Sequence, residues 1–262
     1  MLFDGWLICS DIDGTLLNSE GKIGGRTFER LEYYMSNGGL FTVSTGRFPK
    51  FILNHGICPN APMIVLNGTA LYDPIKREYI RCTPFDTYYF DVLEMLCGNT
   101  DCLLSLNFYT NCGHTDFERS PYTGKIDLDA ACIHANNRSV LKVIVSCIGT
   151  ENSLRLFNEV NSRFSDRVIA TRSSGTGLEL TSARAGKGKY IDYLKSMESL
   201  HIKKCVAIGD YQNDISMLEA ADIGIAPANA LDSVKEIADI VTVSNDEDPV
   251  ADIIDLIEKG RI

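Results

Sequence analysis

The chain has 262 residues, of which 45% are hydrophobic, 23% charged and 9% aromatic. That is enough apolar material for one large core or two modest ones, and it excludes a disordered tail, a collagen and a coiled coil. Lys and Arg number 25 against 35 Asp and Glu, a net charge of −10; a field of that sign repels nucleic acid and anionic membranes, and phosphorylated metabolites too unless a local site reverses it.

In chain order, the first element is an apolar strand over 6–10 that stops at Asp11. In Asp11-Ile12-Asp13-Gly14-Thr15 two carboxylates lie two residues apart, a spacing that in extended chain puts both side chains on one side, and Gly14 lets backbone approach a ligand. The same residues also suit a plain Asp-Gly turn in which Asp13 is a cap. A helix over 26–37 is closed by Gly38-Gly39. The next strand, 40–44, delivers Ser44-Thr45-Gly46-Arg47, whose hydroxyls, turn amides and guanidinium suit phosphate oxygens. A short strand follows at 63–66.

The middle of the chain has a different pattern. From about 83 to 182 it reads as a helix (86–97), a strand (103–109), a polar stretch, a strand (140–148), a helix (152–164) and strands at 168–171 and 178–180. The turn-rich residues 172–177 make the last two an antiparallel hairpin. This α+β segment is expected to be a separate domain, with hinges near 80–84 and 182–187.

Beyond it, Lys187 lies in Ala185-Gly186-Lys187-Gly188-Lys189 at the start of a helix over 189–199. A cation there opposes the helix dipole, which makes sense if it faces anions; a solvated lysine in a glycine loop is the other reading. The strand 205–208 runs into Gly209-Asp210-Tyr211-Gln212-Asn213-Asp214, and a helix over 213–221 would put Asp210 and Asp214 on one face. Hard oxygen donors of this kind suit Mg²⁺, although Asp210 or Asn213 could equally be an N-cap. A strand at 223–225 and helices at 232–238 and 249–257, the last opened by Pro249, complete the chain.

The outer strands are near-continuously apolar and alternate with helices, the pattern of a doubly wound parallel sheet covered on both faces. Ligands bind such sheets outside the carboxyl ends of the strands, where three runs deliver Asp11, Thr45 and Asp210. With Asp13 and Asp214 they make a candidate magnesium cluster, and Lys187 supplies the cation a phosphoryl group needs beside so many carboxylates.

These residues resemble the haloacid dehalogenase superfamily phosphatases, specifically the Cof-type subfamily with a C2 cap. The motifs stand in order: DIDGT (11–15), STGR (44–47), Lys187 in AGKGK and GDYQND (209–214), with VLNGTALYD (65–73), IGIAPANA (223–230) and VSNDEDPV (243–250) also similar. One departure is Pro249, where the family more often has Gly; Pro opens a helix equally well. The resemblance implies a Rossmann-like catalytic core over 1–82 and 183–262 and an α+β cap over 83–182 that selects substrate.

By the same resemblance, Asp11 is the nucleophile that forms an aspartyl-phosphate, and Asp13 the acid and then base. Thr45, Gly46, Lys187 and Asn213 hold the phosphate. Asp11, the backbone carbonyl of Asp13, and Asp210 bind Mg²⁺, with Asp214 in support. The expected activity is Mg²⁺-dependent hydrolysis of a small phosphorylated metabolite such as a sugar phosphate, with no nucleic-acid or membrane partner. The alternatives are a sugar-phosphate-specific phosphatase or phosphohexomutase relative, and a non-catalytic phosphate-binding regulator. The regulator is disfavoured because every catalytic position is filled. A dinucleotide site is not expected, since no GxGxxG follows the first strand.

The N-terminal apolar stretch is too short for a signal peptide and lacks its basic flank, and no run reaches the roughly 18 residues of a membrane span. The nine cysteines contain no CxxC pair, and Cys112 and His114 lack zinc partners. Buried thiols in a reducing cytoplasm are expected.

Overall fold

A computed structural model describes residues 1–86, 89–127, 130–131 and 139–262. The chain begins with β1 (Trp6–Ser10), α1 (Gly25–Ser36), β2 (Leu40–Val43), α2 (Pro49–Asn54), β3 (Met63–Val65), β4 (Ala70–Asp73) and β5 (Glu78–Cys82). The middle holds α3 (Tyr89–Cys97), β6 (Leu103–Thr110), β7 (Gly113–Glu118), β8 (Val140–Cys147), α4 (Thr150–Phe164), β9 (Val168–Arg172) and β10 (Gly177–Ser182). It ends with α5 (Lys187–Ser196), β11 (Lys204–Ile208), α6 (Ile215–Ala220), β12 (Ile223–Ala226), α7 (Asp232–Lys235), β13 (Ile240–Val241) and α8 (Pro249–Glu258). Two units result: Met1–Arg81 with Gly186–Ile262, and Cys82–Ala185.

The first unit is an α/β fold on a five-stranded sheet in the order β13-β12-β11-β1-β2, parallel throughout. β1 lies between two neighbours, and Leu7, Ile8 and Cys9 are completely buried, which is why its sequence is apolar without alternation. Register fixes the functional edge. Ser10 stands opposite both Ile208 and Val43, so β1, β2 and β11 end at one level and the residues after them emerge side by side.

The expected strand at 63–66 does not extend that sheet. β3 touches it through a single parallel bridge between Ser44 and Ile64 and pairs antiparallel with β4 in a separate sheet β3-β4-β5. Leu66, Asn67 and Gly68, with φ of 53°, 57° and 75°, turn the chain back in consecutive left-handed conformations. α2, β4, β5, β7 and β13 were not expected. α2 is six residues long, too short for a helical period to register. β5 and β7 have mostly exposed or half-buried residues, so an apolar-run criterion passes over them.

The second unit is an antiparallel sheet in the order β7-β6-β8-β10-β9, with the β9–β10 hairpin where the turn residues predict it. Leu106, Phe108, Val143, Val145, Leu178 and Leu180 alternate along their strands onto one apolar face. Leu156, Val160 and Phe164 of α4 and Val92 and Leu96 of α3 complete that core. The expected helix at 86–97 is described from Tyr89; residues 87 and 88 lie outside the described residues. Every cysteine side chain described is a free thiol. Among the described residues no helix is long and apolar enough to cross a membrane.

Phe108 is fully buried and meets the Phe117 ring edge-on at 5.6 Å. Phe108→Ala should therefore cost about 3–5 kcal/mol, whereas Ile169→Ala, at a site 41% exposed, should stay within about 0.5 kcal/mol. Chemical denaturation of the two variants checks the contrast.

Candidate active site

The parallel sheet sets the first position. The Asp11 N–H donates to Ile208 O at 2.9 Å, continuing the ladder one residue past β1. Asp11 is 7% exposed, so the carboxylate needs a buried partner. Lys187 is that partner: its Nζ lies 2.6 Å from Asp11 Oδ1 and 2.5 Å from Asp214 Oδ1. Lys187 is 1% exposed and Asp214 completely buried.

Close backbone approaches put Lys187 there. It is the first residue of α5, two positions earlier than the sequence pattern places the helix start. A Cβ at Gly68 would lie 2.2 Å from Gly186 C and 2.5 Å from Lys187 N. Only glycine lets the 66–68 turn pack against the start of α5.

Asp214 belongs to a short 3₁₀ turn at Gln212–Asp214. Its Oδ2 accepts the backbone N–H groups of Asp210 at 3.1 Å and Tyr211 at 3.0 Å. One carboxylate thus fixes the turn after β11 and holds Lys187. Asp210 is fixed by the first loop: Thr15 Oγ1 donates to its Oδ1 at 2.7 Å. A Cβ at Gly14, where φ is +81°, would lie 2.6 Å from Asp210 Oδ2. Thr15 has no role assigned from the sequence, although it ends the DIDGT motif.

The remaining predicted residues are arranged differently. Asp13 does not share a side with Asp11. Asp11 points inward to Lys187, whereas Asp13, with its side chain 51% exposed, makes a two-point ion pair with Arg47 through Nε–Oδ2 and Nη2–Oδ1 bonds of 2.9 Å. Thr45 is buried, and its Oγ1 accepts the Arg47 N–H at 3.1 Å. Asn213 Nδ2 donates to Asn67 Oδ1 at 3.2 Å, and a Cβ at Gly46 would meet the same oxygen at 2.9 Å. Asn67 therefore joins the STGR turn to the GDYQND turn. Its signal was present in VLNGTALYD, but a lone Asn carries no chemistry by type.

The matching family model spans residues 8–254 and is described as haloacid dehalogenase-like hydrolase. The chain belongs to that family. Phosphatase YwpJ of Bacillus subtilis is 28% identical, over 94% of this chain and 97% of YwpJ. The 5-amino-6-(5-phospho-D-ribitylamino)uracil phosphatase YwtE of the same species is 27% identical over 97% and 98%. The crystal structure of TM0651 from Thermotoga maritima superposes with a TM-score of 0.75 at 23% identity, covering 95% of this chain and 96% of that one, a likeness of fold. The chain is a Cof-type phosphatase of the haloacid dehalogenase-like hydrolases.

Electrostatics in this hydrolase centre on Lys187. Burial opposes its charge, but Asp11 and Asp214 outweigh that cost and hold the ammonium above the ordinary lysine range. Burial pushes the Asp11 carboxyl up, opposed by Lys187 and reinforced by Asp214 and Asp210. Burial also lifts Asp210 to about 6; the Thr15 hydrogen bond offsets part of this and the Asp214 charge adds to it. Asp11, Asp210 and Asp214 each offer an oxygen within 4.8 Å of the others. Three carboxylates against one ammonium leave two negative charges in excess. The set fits a hard divalent cation by charge, donor type and spacing.

Lys187→Met leaves buried carboxylates uncompensated and should cost about 3–5 kcal/mol near neutral pH in chelator. Carboxyls raised in the folded state make the folded chain hold more protons than the unfolded one, so this loss grows as pH rises and eases towards about pH 5. Urea titrations across that range measure the trend; a pH-independent loss would contradict the charge argument.

Proposed function

We propose that the chain hydrolyses a small phosphorylated metabolite, a sugar phosphate or similar monoester, through an aspartyl-phosphate on Asp11. The observation that carries this reading is the buried Asp11–Lys187–Asp214 array with Asp210 beside it, at the carboxyl edge of a parallel sheet. YwtE, named for a phosphorylated ribityl compound, supports the substrate class. The unit Cys82–Ala185 is assigned the part of the cap that reads the leaving group, and a reducing cytoplasm suits the free thiols.

Lys187 restrains Asp11 through Oδ1 alone. Among the described residues Oδ2 accepts no hydrogen bond, which makes it the attacking atom. In the first displacement this oxygen bonds to phosphorus as the ester P–O bond breaks, and the departing oxygen takes a proton from Asp13. In the second, Asp13 takes a proton from water as that water displaces Asp11. Lys187, the Thr45 hydroxyl, the Gly46 N–H and the Asn213 amide meet the phosphoryl oxygens, whose charge is greatest in transit. Asp11, the Asp13 carbonyl and Asp210 would hold Mg²⁺, backed by Asp214. The ion supplies Lewis-acid neutralisation of the phosphoryl oxygens. Asp11 and Asp214 hold Lys187 protonated across the working pH range, so that its charge is always present.

A panel of phosphorylated metabolites with added Mg²⁺ should yield phosphate release with clear preferences in kcat/KM, and Asp11→Asn should lower turnover by about 10³-fold or more. Full activity of Asp11→Asn would end this reading. Because Asp210 and Asp11, both raised by burial, must lose their protons to bind a cation, Mg²⁺ affinity should weaken as pH falls through about 6, by up to about tenfold per pH unit for each group. Calorimetric titration of Mg²⁺ at several pH values, with Asp210→Asn as the control that makes the dependence shallower, checks this.

A further inference from the structure

The acid in the proposed mechanism is bound to an arginine. In the first displacement Asp13 must present a proton, yet both of its oxygens accept hydrogen bonds of 2.9 Å from the Arg47 fork. Among the described residues Arg47 is its side-chain partner. While both bonds stand, both oxygens act as acceptors, so one bond opens when that oxygen carries a proton towards the fork.

Arg47 itself is held on several sides. Its N–H donates to Thr45 Oγ1 at 3.1 Å, and its carbonyl accepts the Leu66 N–H at 3.2 Å. Its guanidinium lies over the Phe51 ring, 4.3 Å from the centroid, and Phe51 is fixed in α2, the six-residue helix that follows the STGR turn. Asp13, by contrast, has its backbone held by a bridge to Leu17, while its side chain is 51% exposed and, among the described residues, bonds to the Arg47 fork. The arginine is the anchored partner and the aspartate the movable one. A planar fork is also the group best suited to fix a carboxylate in orientation as well as place.

We propose that Arg47 is the positioning residue of the acid–base Asp13, fixing the place and orientation of its carboxyl group between the two displacements. This rests on the assignment of Asp13 made above. In the first displacement Asp11 bonds to phosphorus, the P–O bond breaks with its electron pair passing to the leaving oxygen, and that oxygen takes the proton from Asp13. The carboxylate so formed closes onto Arg47, which stabilises it as it forms. In the second displacement Asp13 accepts the proton of the attacking water and gives up one bond of the fork. Arg47 thus acts on the substrate through Asp13, in place of the direct contact with a phosphate that its position in the STGR motif suggests.

A leaving-group series separates the two roles. An anchor for the acid matters where the departing oxygen needs a proton, as in alkyl and sugar phosphates, and hardly where it does not, as in p-nitrophenyl phosphate. Arg47→Gln should lower kcat/KM for alkyl phosphates by about 10- to 100-fold and for p-nitrophenyl phosphate by less than about threefold. Arg47→Lys, which keeps the charge but loses the fork, should fall between, and it carries the test if Arg47→Gln does not fold. Asp13→Asn should show the same slope, and adding Arg47→Gln to it should cost nothing further. An equal loss across the series, or full additivity in the double variant, would overturn the inference and make Arg47 a phosphate or scaffold contact. If Asp13→Asn alone is indifferent to the leaving group, the assignment of the acid is wrong, and the two failures are thereby told apart.

Discussion

A lysine ammonium buried between two aspartates is the interaction on which the site depends. Lys187, Asp11 and Asp214 are all close to fully excluded from solvent. Each would be costly alone, because a lone buried charge keeps little of its solvation. Together they compensate one another, and the compensation links three distant parts of the chain: the end of β1, the start of α5 and the turn after β11. Asp214 ties the last two by spending one oxygen on Lys187 and the other on the backbone of its own turn. The array also leaves a negative excess with Asp210, so its charge balances only with a cation beside it. Stability and chemistry are thereby coupled, since the feature that costs folding energy is the one that recruits the ligand.

The fold serves this array by levelling strand ends. Three parallel strands finish in register, and a parallel sheet forces their connections over its faces, so that only short turns remain at the carboxyl edge. Close packing of those turns then demands glycine where side chains would collide. Gly14 stands against Asp210, and Gly68 against the first peptide of α5. A net charge of −10 does not forbid an anionic substrate in such a design, because sign is set locally, by Lys187 and by any cation the acidic cluster would hold, rather than by the whole surface.

Much of this was legible in the sequence, for a physical reason. Apolar runs that end abruptly in Asp11, Thr45 or Asp210 mark buried strands opening onto a polar edge, and the parallel sheet and its functional rim follow. The turn-rich residues 172–177 likewise mark an antiparallel hairpin, which β9 and β10 form. What escaped depends on direction rather than on type. Spacing places Asp11 and Asp13 on one side in extended chain, but the chain turns at Ile12, whose carbonyl accepts the Thr15 and Leu17 N–H groups, and the two diverge, one to Lys187 and the other to Arg47. Thr15 and Asn67 act as links between turns far apart in the chain, and nothing in a hydroxyl or amide by itself announces a partner 195 or 146 residues away. The β3–β4–β5 sheet escaped because its outer strand is too polar to register as a run.

The central claim is that the Asp11 carboxylate, held through one oxygen by Lys187, attacks phosphorus with the other. Rapid acid quench during turnover of a phosphorylated substrate, followed by peptide mapping by mass spectrometry, tests it directly. One phosphoryl group is expected on the peptide containing Asp11, localised to that residue, formed and lost at rates compatible with turnover. A phosphoryl group on another side chain would contradict it, as would turnover that persists in Asp11→Asn with no phosphorylated peptide at all.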